Sequence, residues 1–215
     1  VEDLVRQTGL HTNTVNSYLD ILEGTMILAR TDNFNPNFDE KLPKSERFYF
    51  LDNGMRNYSI SSLSSDYRPD WQQLAANLVF SELKKTIAIS HESKQGETNK
   101  NQEQNKQAEN QHARLSDMLS SRKLKFPNSE IYHYQTYSDN HIDFVIKSKT
   151  KQEFTPIFVA YPETREKLGK KIHEYLNTQQ PKKLYIITKD QTHKATVKGC
   201  EITWLPLVEF LAVVG

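Results

Sequence analysis

The residue with the clearest chemical possibility is Asp143, a single carboxylate inside the apolar run HIDFVIK. Hydrolysis of a phosphodiester with a metal ion needs several acids converging on one or two Mg²⁺ ions, which polarise the substrate and lower the pKa of a water. A lysine then orients that water or stabilises the developing charge. The next strand-like run, FTPIFVAY, supplies neither an acid nor a lysine. Residues two apart on a strand share a face, so Phe158 and Ala160 are expected to point together, as are His141, Asp143 and Lys147 on the strand before. Asp143 is then expected to pair with His141, Lys147 or backbone donors at the sheet rim, because a partly buried carboxylate needs such partners.

A second possibility lies at the N-terminus. VEDLVRQTG reads as a short helix closed by Gly9 in the left-handed region, and NTVNSYLDILEG as a second helix capped by Thr12. Thr12, Asn13, Asn16 and Ser17 would occupy the exposed start of that helix, where a recognition helix meets base edges. Arg6, Lys41, Lys44 and Arg47 would add phosphate contacts from the flanking helix and wing. The second helix itself has no lysine or arginine, and Asp20 and Glu23 would repel phosphate. Binding of double-stranded DNA and docking onto a protein therefore stand as equal alternatives here.

Other groups promise less. The seven histidines give no ligand pair at helical or strand spacing beyond His133 and His141, and Cys200 is the only cysteine. That excludes a thiolate zinc cluster and any internal disulfide, and no metal site is expected. TREKLGKKIHEYLNTQ carries Arg165, Lys167, Lys170 and Lys171 over an apolar stripe, which reads mainly as a solvated helix face. In FYFLDNGMRN, Asp52 is expected to cap a tight strand-to-helix turn, with a contact between units as the alternative.

The elements that must position these residues follow from patterning. Strand-like TMILART and RFYFLD flank a polar loop, so helix, helix and hairpin in that order describe a winged helix over residues 1–60. A second unit, 61–215, opens with an apolar-faced helix from Trp71 to Lys85 capped by Asp70. A stretch of Gln, Asn, Glu and Lys at about 91–122 cannot bury enough surface to offset its ordering entropy and reads as a disordered insertion. Strand-like EIYHYQTY, HIDFVIK and FTPIFVAY follow, then a helix, the runs KKLYIITKD and CEITWLPL, and a closing helix VEFLAVVG. The expected class is α/β, α+β overall, with a mixed sheet. Lys and Arg number 28 against 27 Asp and Glu, so the net charge of +1 makes no global case for nucleic acid or a membrane surface. No apolar run is long enough to span a bilayer, and a cytoplasmic location without a membrane partner is expected.

Five strings in fixed order, TVNSYLDILEGTMIL, FYFLDNGMRN, LAANLVFSELKK, HIDFVI and ITWLPLVEFL, resemble a prokaryotic family. It is the domain of unknown function that forms the C-terminal half of many bacterial and archaeal AAA-type ATPases. The resemblance implies a winged helix followed by a core similar to the PD-(D/E)xK nucleases. It places Ala76 where the family has an acid, since LFEN becomes LAAN, and keeps an acid at Asp143. It puts Phe158 and Ala160 at the E-x-K pair. The implied core is degenerate, with Asp143 a remnant acid.

The chain has no G-x-x-x-x-G-K-[ST] loop, so ATP and Mg²⁺ are expected only in an ATPase module upstream of Val1, whose position within a helical pattern suggests a piece of a longer protein. The expected function is non-catalytic: an accessory region of an AAA-type ATPase that engages DNA, its own ATPase module or another protein. A divergent metal-dependent nuclease with relocated ligands, or a purely protein-binding module, is the alternative.

Overall fold

A computed structural model describes residues 1–35, 45–63, 68–92, 124–137, 140–162 and 168–214. Lys41, Lys44, Arg165, Lys167 and nearly all of the polar insertion lie outside the described residues. The chain begins with α1 (Glu2–Thr8) and α2 (Thr12–Gly24), then the hairpin β1 (Leu28–Asp32) and β2 (Glu46–Phe50), then α3 (Asn53–Ser59) and α4 (Trp71–Glu92). There follow β3 (Ser129–Gln135), β4 (His141–Ser148), β5 (Phe154–Val159), α5 (Lys170–Gln179), β6 (Lys183–Thr188), β7 (His193–Val197), β8 (Cys200–Pro206) and α6 (Leu207–Val214). The class is α+β.

Local chemistry sets the helix ends. Gly9 closes α1 at φ 69°, its N–H bonding the Val5 carbonyl, a conformation in which a side chain would be strained. The cap of α2 is His11 rather than the expected Thr12. Its Nδ1 accepts the Asn13 N–H at 3.4 Å, so the imidazole takes the orphan donor and Thr12 becomes the first helical residue. Asp52 caps α3 by accepting the Met55 N–H at 2.7 Å. Asp70 meets Leu74 N–H with its backbone carbonyl and turns its carboxylate elsewhere, so the expected side-chain cap of α4 is not made. The α4 helix also runs beyond Lys85 to Glu92.

Six strands form one mixed sheet in the order β3-β4-β5-β6-β8-β7. β5, β6 and β8 are parallel, while β4 pairs antiparallel with β3 and β5, and β7 antiparallel with β8. Buried on both faces, β6 reads LYIIT without alternation. On one face α4 and α6 pack Val79, Phe80, Leu83 and Phe210 against Phe144, Ile157 and Val159. On the other, α5 sets Ile172 and Leu176 against Leu184, Ile186 and Ile202. Each such fully buried side chain contributes about 1.5–3 kcal/mol of transfer free energy.

The hairpin does not stand apart from this core. Ala29 and Tyr49 belong to the same apolar cluster as α4, and the Tyr49 ring stacks on Phe80 at 4.6 Å. Val15 and Leu19 of α2 bury against Leu28, with α1 and the hairpin's outer face around them. Among the described residues, no helix is long and apolar enough to cross a membrane.

Candidate functional site

Asp143 lies where β4 loses its regular register. Tyr132 faces Val145 and Tyr134 faces Ile142, so three steps along β4 answer two along β3. One extra residue is accommodated around Asp143–Phe144, which makes a β-bulge. The slip also shows in burial: Phe144 and Ile146 join the cluster under α4, whereas Ile142 and Val145 join the one under α5. The expected shared face for His141, Asp143 and Lys147 therefore fails, because period-2 counting cannot cross a bulge.

The bulge changes the work of the carboxylate. Along β5, the Ala160 N–H bonds Ile187 of β6, so the Val159 N–H points the other way, toward β4. Asp143 Oδ2 accepts that N–H at 2.8 Å. The side chain supplies the acceptor that the disturbed ladder does not, satisfying a donor that would otherwise be buried unpaired. Asp143 is only 7% exposed. Burial pushes its carboxyl above the usual range, against the opposing pull of the Val159 N–H, His141 and Arg47. The Tyr49 hydroxyl donates to the Asp143 backbone carbonyl at 3.4 Å.

The other sequence-assigned positions do not converge on it. Ala76 is buried in the cluster beneath α4, whereas Phe158 and Ala160 pack on the α5 side of the sheet. The residues of the β5 region on the α4 side are Ile157, Val159 and Tyr161, and the Tyr161 ring meets Trp71 edge-on at 6.4 Å. Gln72 caps this corner by donating to the Val159 carbonyl at 3.3 Å. Such a setting offers a hard cation few oxygen ligands besides a carboxylate already bonded to the backbone. Among the described residues, no three His, Cys, Asp or Glu side chains gather as a metal-ion set.

Two polar clusters escaped the sequence reading. The first joins the hairpin to β3. His133 is fully buried, its Nδ1 3.0 Å from Thr31 Oγ1 and its Nε2 3.2 Å from Ser45 Oγ. Burial and the nearby Arg47 push its pKa down to about 3, so it is held neutral. Asn33 brackets Gln135 like a strand partner, donating to its carbonyl at 2.8 Å and accepting its N–H at 2.9 Å. The second cluster ties α3 to α4. Asp70 takes Arg56 at 2.6 Å and Arg68 at 3.1 Å, and Arg68 also donates to Asn57 and to the Ser62 carbonyl. Hydrogen bonds from Arg68, then Arg56, hold the Asp70 carboxyl down at about 2. The Asn53 and Asn77 amides complete this clamp.

Thr12, Asn13, Asn16 and Ser17 are all exposed on α2. Of the cations expected to accompany them, the two among the described residues are otherwise engaged. Arg6 pairs with Asp3, and Arg47 is half-buried in the joint, donating to Gln135 Oε1 at 3.4 Å. Arg30 is held by Asp20 at 2.6 Å, Glu23 at 2.5 Å and Glu46 at 3.3 Å, with its pKa raised by these carboxylates, Asp20 foremost. Beside the four polar residues, α2 exposes Tyr18 by 57% and Ile21 by 60%, and Met26 just beyond it by 79%. The sequence reading missed this apolar strip. Its signal was present, since Tyr18 and Ile21 are three apart and the buried stripe Val15–Leu19–Leu22 leaves them outside.

A model described as a domain of unknown function (DUF8612) matches residues 1–66, which span α1, α2, the hairpin and α3. The match does not reach α4 or the six-stranded sheet. No curated protein matches the chain, and no solved structure does.

Proposed function

We propose that this chain is a non-catalytic binding module whose six-stranded core is a scaffold and whose α2 face docks onto a protein. The observation that carries the first half is the engagement of Asp143 as acceptor for the Val159 N–H. A carboxylate buried and bonded to a backbone N–H in this way is a structural group, and no second carboxylate faces it among the described residues. This favours a degenerate nuclease-like core over the alternative of an active metal-dependent nuclease with relocated ligands.

The partner is read from charge. Residues 1–66 carry ten acidic and six basic side chains. Arg6 of α1 and Arg30 of β1 are already paired with carboxylates. DNA affinity rests mainly on phosphate contacts, which this face cannot supply from α2. An exposed Tyr18–Ile21–Met26 strip in a segment of net acidic charge suits instead a protein patch that is apolar at its centre and basic at its rim. The resemblance of residues 1–60 to a winged helix that accompanies AAA-type ATPases makes such an ATPase module from the same genome the partner to test.

The experiment mixes the purified chain with that module and measures association by analytical ultracentrifugation. Association is expected, and Tyr18→Asp with Ile21→Asp should abolish it. An unchanged complex with that variant refutes docking through α2. Incubation of plasmid DNA with Mg²⁺ or Mn²⁺ should give no cleavage. Cleavage that Asp143→Asn removes would establish the nuclease reading in its place.

A further inference from the structure

The core sheet is electrically lopsided. One of its ends collects the close of β4, the β4–β5 turn, the start of β6 and the β7–β8 turn. These segments display Lys147, Lys149, Lys151, Lys182, Lys183 and Lys198, all exposed. The acids there are Glu130, which takes Lys149 at 3.0 Å, Glu153, which takes Lys182 at 3.1 Å, and Glu201, which lies opposite Lys183 in the ladder. Lys147, Lys151, Lys183 and Lys198 form no ion pair among the described residues, although Lys147 lies opposite Glu130 in the ladder and Lys198 Nζ donates to Asn177 Oδ1. At the opposite end the described residues offer Lys170, Lys171, Lys189 and Lys194 with Glu174, Asp190 and Glu209, a smaller excess of positive charge.

Two turns hold these lysines in place. In the β4–β5 turn, Ser148 Oγ accepts the N–H groups of Thr150 and Lys151 at 3.3 and 3.2 Å. In the β7–β8 turn, Lys198 and Gly199 both adopt positive φ, 53° and 79°, between the paired Val197 and Cys200. That two-residue hairpin geometry favours Asn-Gly, and a lysine at its first position is the more strained choice. A cation is thus displayed at a conformational cost that asparagine would lower.

We propose that this lysine-lined end binds the phosphate backbone of a nucleic acid without reading its sequence. Spacing supports the partner class: with strands about 4.8 Å apart, the row from β4 to β7 spans roughly 15–20 Å. One strand of a duplex presents about five phosphates over that length, at about 3.4 Å each. Every cation in the row is a lysine, a point charge without the planar fork that reads base edges or carboxylates bidentately. No large apolar side chain is exposed at this end; those of the described residues cluster on α1–α3 and at scattered positions elsewhere. A protein interface would need an apolar or aromatic anchor there, whereas a phosphate backbone needs charge alone. The inference is independent of α2 docking, since the two surfaces share no residue.

The test is fluorescence anisotropy of the full chain with a labelled 20-base-pair duplex of mixed sequence, from 25 to 200 mM KCl. With these four lysines each engaging a phosphate, the slope of log K against log salt should be about −3 to −4. Each Lys→Gln change among Lys147, Lys151, Lys183 and Lys198 should reduce that slope by about one. The quadruple variant, its fold verified by circular dichroism, should bind at least about thirty-fold more weakly at 50 mM KCl. A duplex of different sequence should bind equally, and Asn13→Ala with Asn16→Ala should leave binding unchanged. No binding at 25 mM KCl, or binding lost through the α2 variant and kept by the lysine variant, overturns the proposal. Poly-glutamate competing as well as DNA at equal charge also overturns it, in favour of an acidic protein.

Discussion

The buried imidazole of His133 makes the stability of this fold depend on pH in a way that can be isolated. Its folded-state pKa of about 3 lies far below the 6.5 of an exposed histidine. The unfolded chain therefore takes up a proton as pH falls below about 6.5, while the folded chain refuses it until about pH 3. The sign is that of a depressed pKa: the stability is fully present above pH 6.5 and is lost progressively on acidification. Each unit costs about 1.36 kcal/mol, so about 2 kcal/mol is lost between pH 7 and pH 5. Asp143 acts in the opposite sense, because burial raises its pKa and the folded state gains its proton first. The measurement must therefore be differential. Urea unfolding at pH 7.0 and 5.0, followed by tryptophan fluorescence, is compared between wild type and His133→Gln. The glutamine amide is neutral throughout and can still meet Thr31 or Ser45. Expected is a loss on acidification about 2 kcal/mol smaller in the variant, with the m-value unchanged. An identical loss in both proteins would refute the claim that this imidazole is held neutral in the joint.

Three further predictions concern single contacts. Asp143→Ala leaves the Val159 N–H buried without its acceptor and should cost about 1–3 kcal/mol in urea unfolding at pH 7, whereas Asp143→Asn keeps an acceptor oxygen and should cost less; equal costs would contradict the ladder role. Arg68→Ala removes donors to Asp70, Asn57 and the Ser62 carbonyl and should destabilise by about 2–4 kcal/mol. Because Asp70 is held near pKa 2, its contribution is present above about pH 4 and lost as pH falls toward 2; this acid limb, of order 1 kcal/mol after solvent screening, should be smaller in Arg68→Ala, where only Arg56 still bonds Asp70. Tyr18→Asp and Ile21→Asp alter exposed positions and should change stability by no more than about 0.5 kcal/mol each in the same assay.

The sequence made most of the elements legible because their burial follows periodicity. It lost β7, whose HKATV has no buried residue and shows no apolar alternation. A strand held mainly by ladder bonds to β8 and a Lys-Gly turn leaves little hydrophobic signal. It also lost the phase of β4, since counting by two assumes an unbroken strand. Ala76 and Phe158, which the resemblance set around one site, fall on opposite sheet faces, a separation that string matching without a fold does not show. The lack of acid and lysine along β5 survives the change of face, because Val159 and Tyr161 are as unsuited to a metal as Phe158 and Ala160. The joint around His133 was not legible, since Thr31 and His133 meet across 102 residues of chain. No local pattern announces such a pairing.

The two cation types divide their labour in a way that bears on both surfaces. Arg30, Arg47, Arg56 and Arg68 each bond side chains from other elements or turns, cross-linking α2 to the hairpin, the hairpin to β3 and α3 to α4. A planar fork suits that work, because it satisfies several acceptors at fixed angles. The lysines are left to the surface, most densely at one end of the sheet. Bidentate recognition of guanine or of carboxylates calls for arginine, and the described arginines are occupied. A nucleic acid meeting this protein at the lysine end would be held by its charge and not by its sequence. Selectivity would then reside in the acidic, apolar face of α2, where shape and exclusion of like charge can discriminate between protein partners.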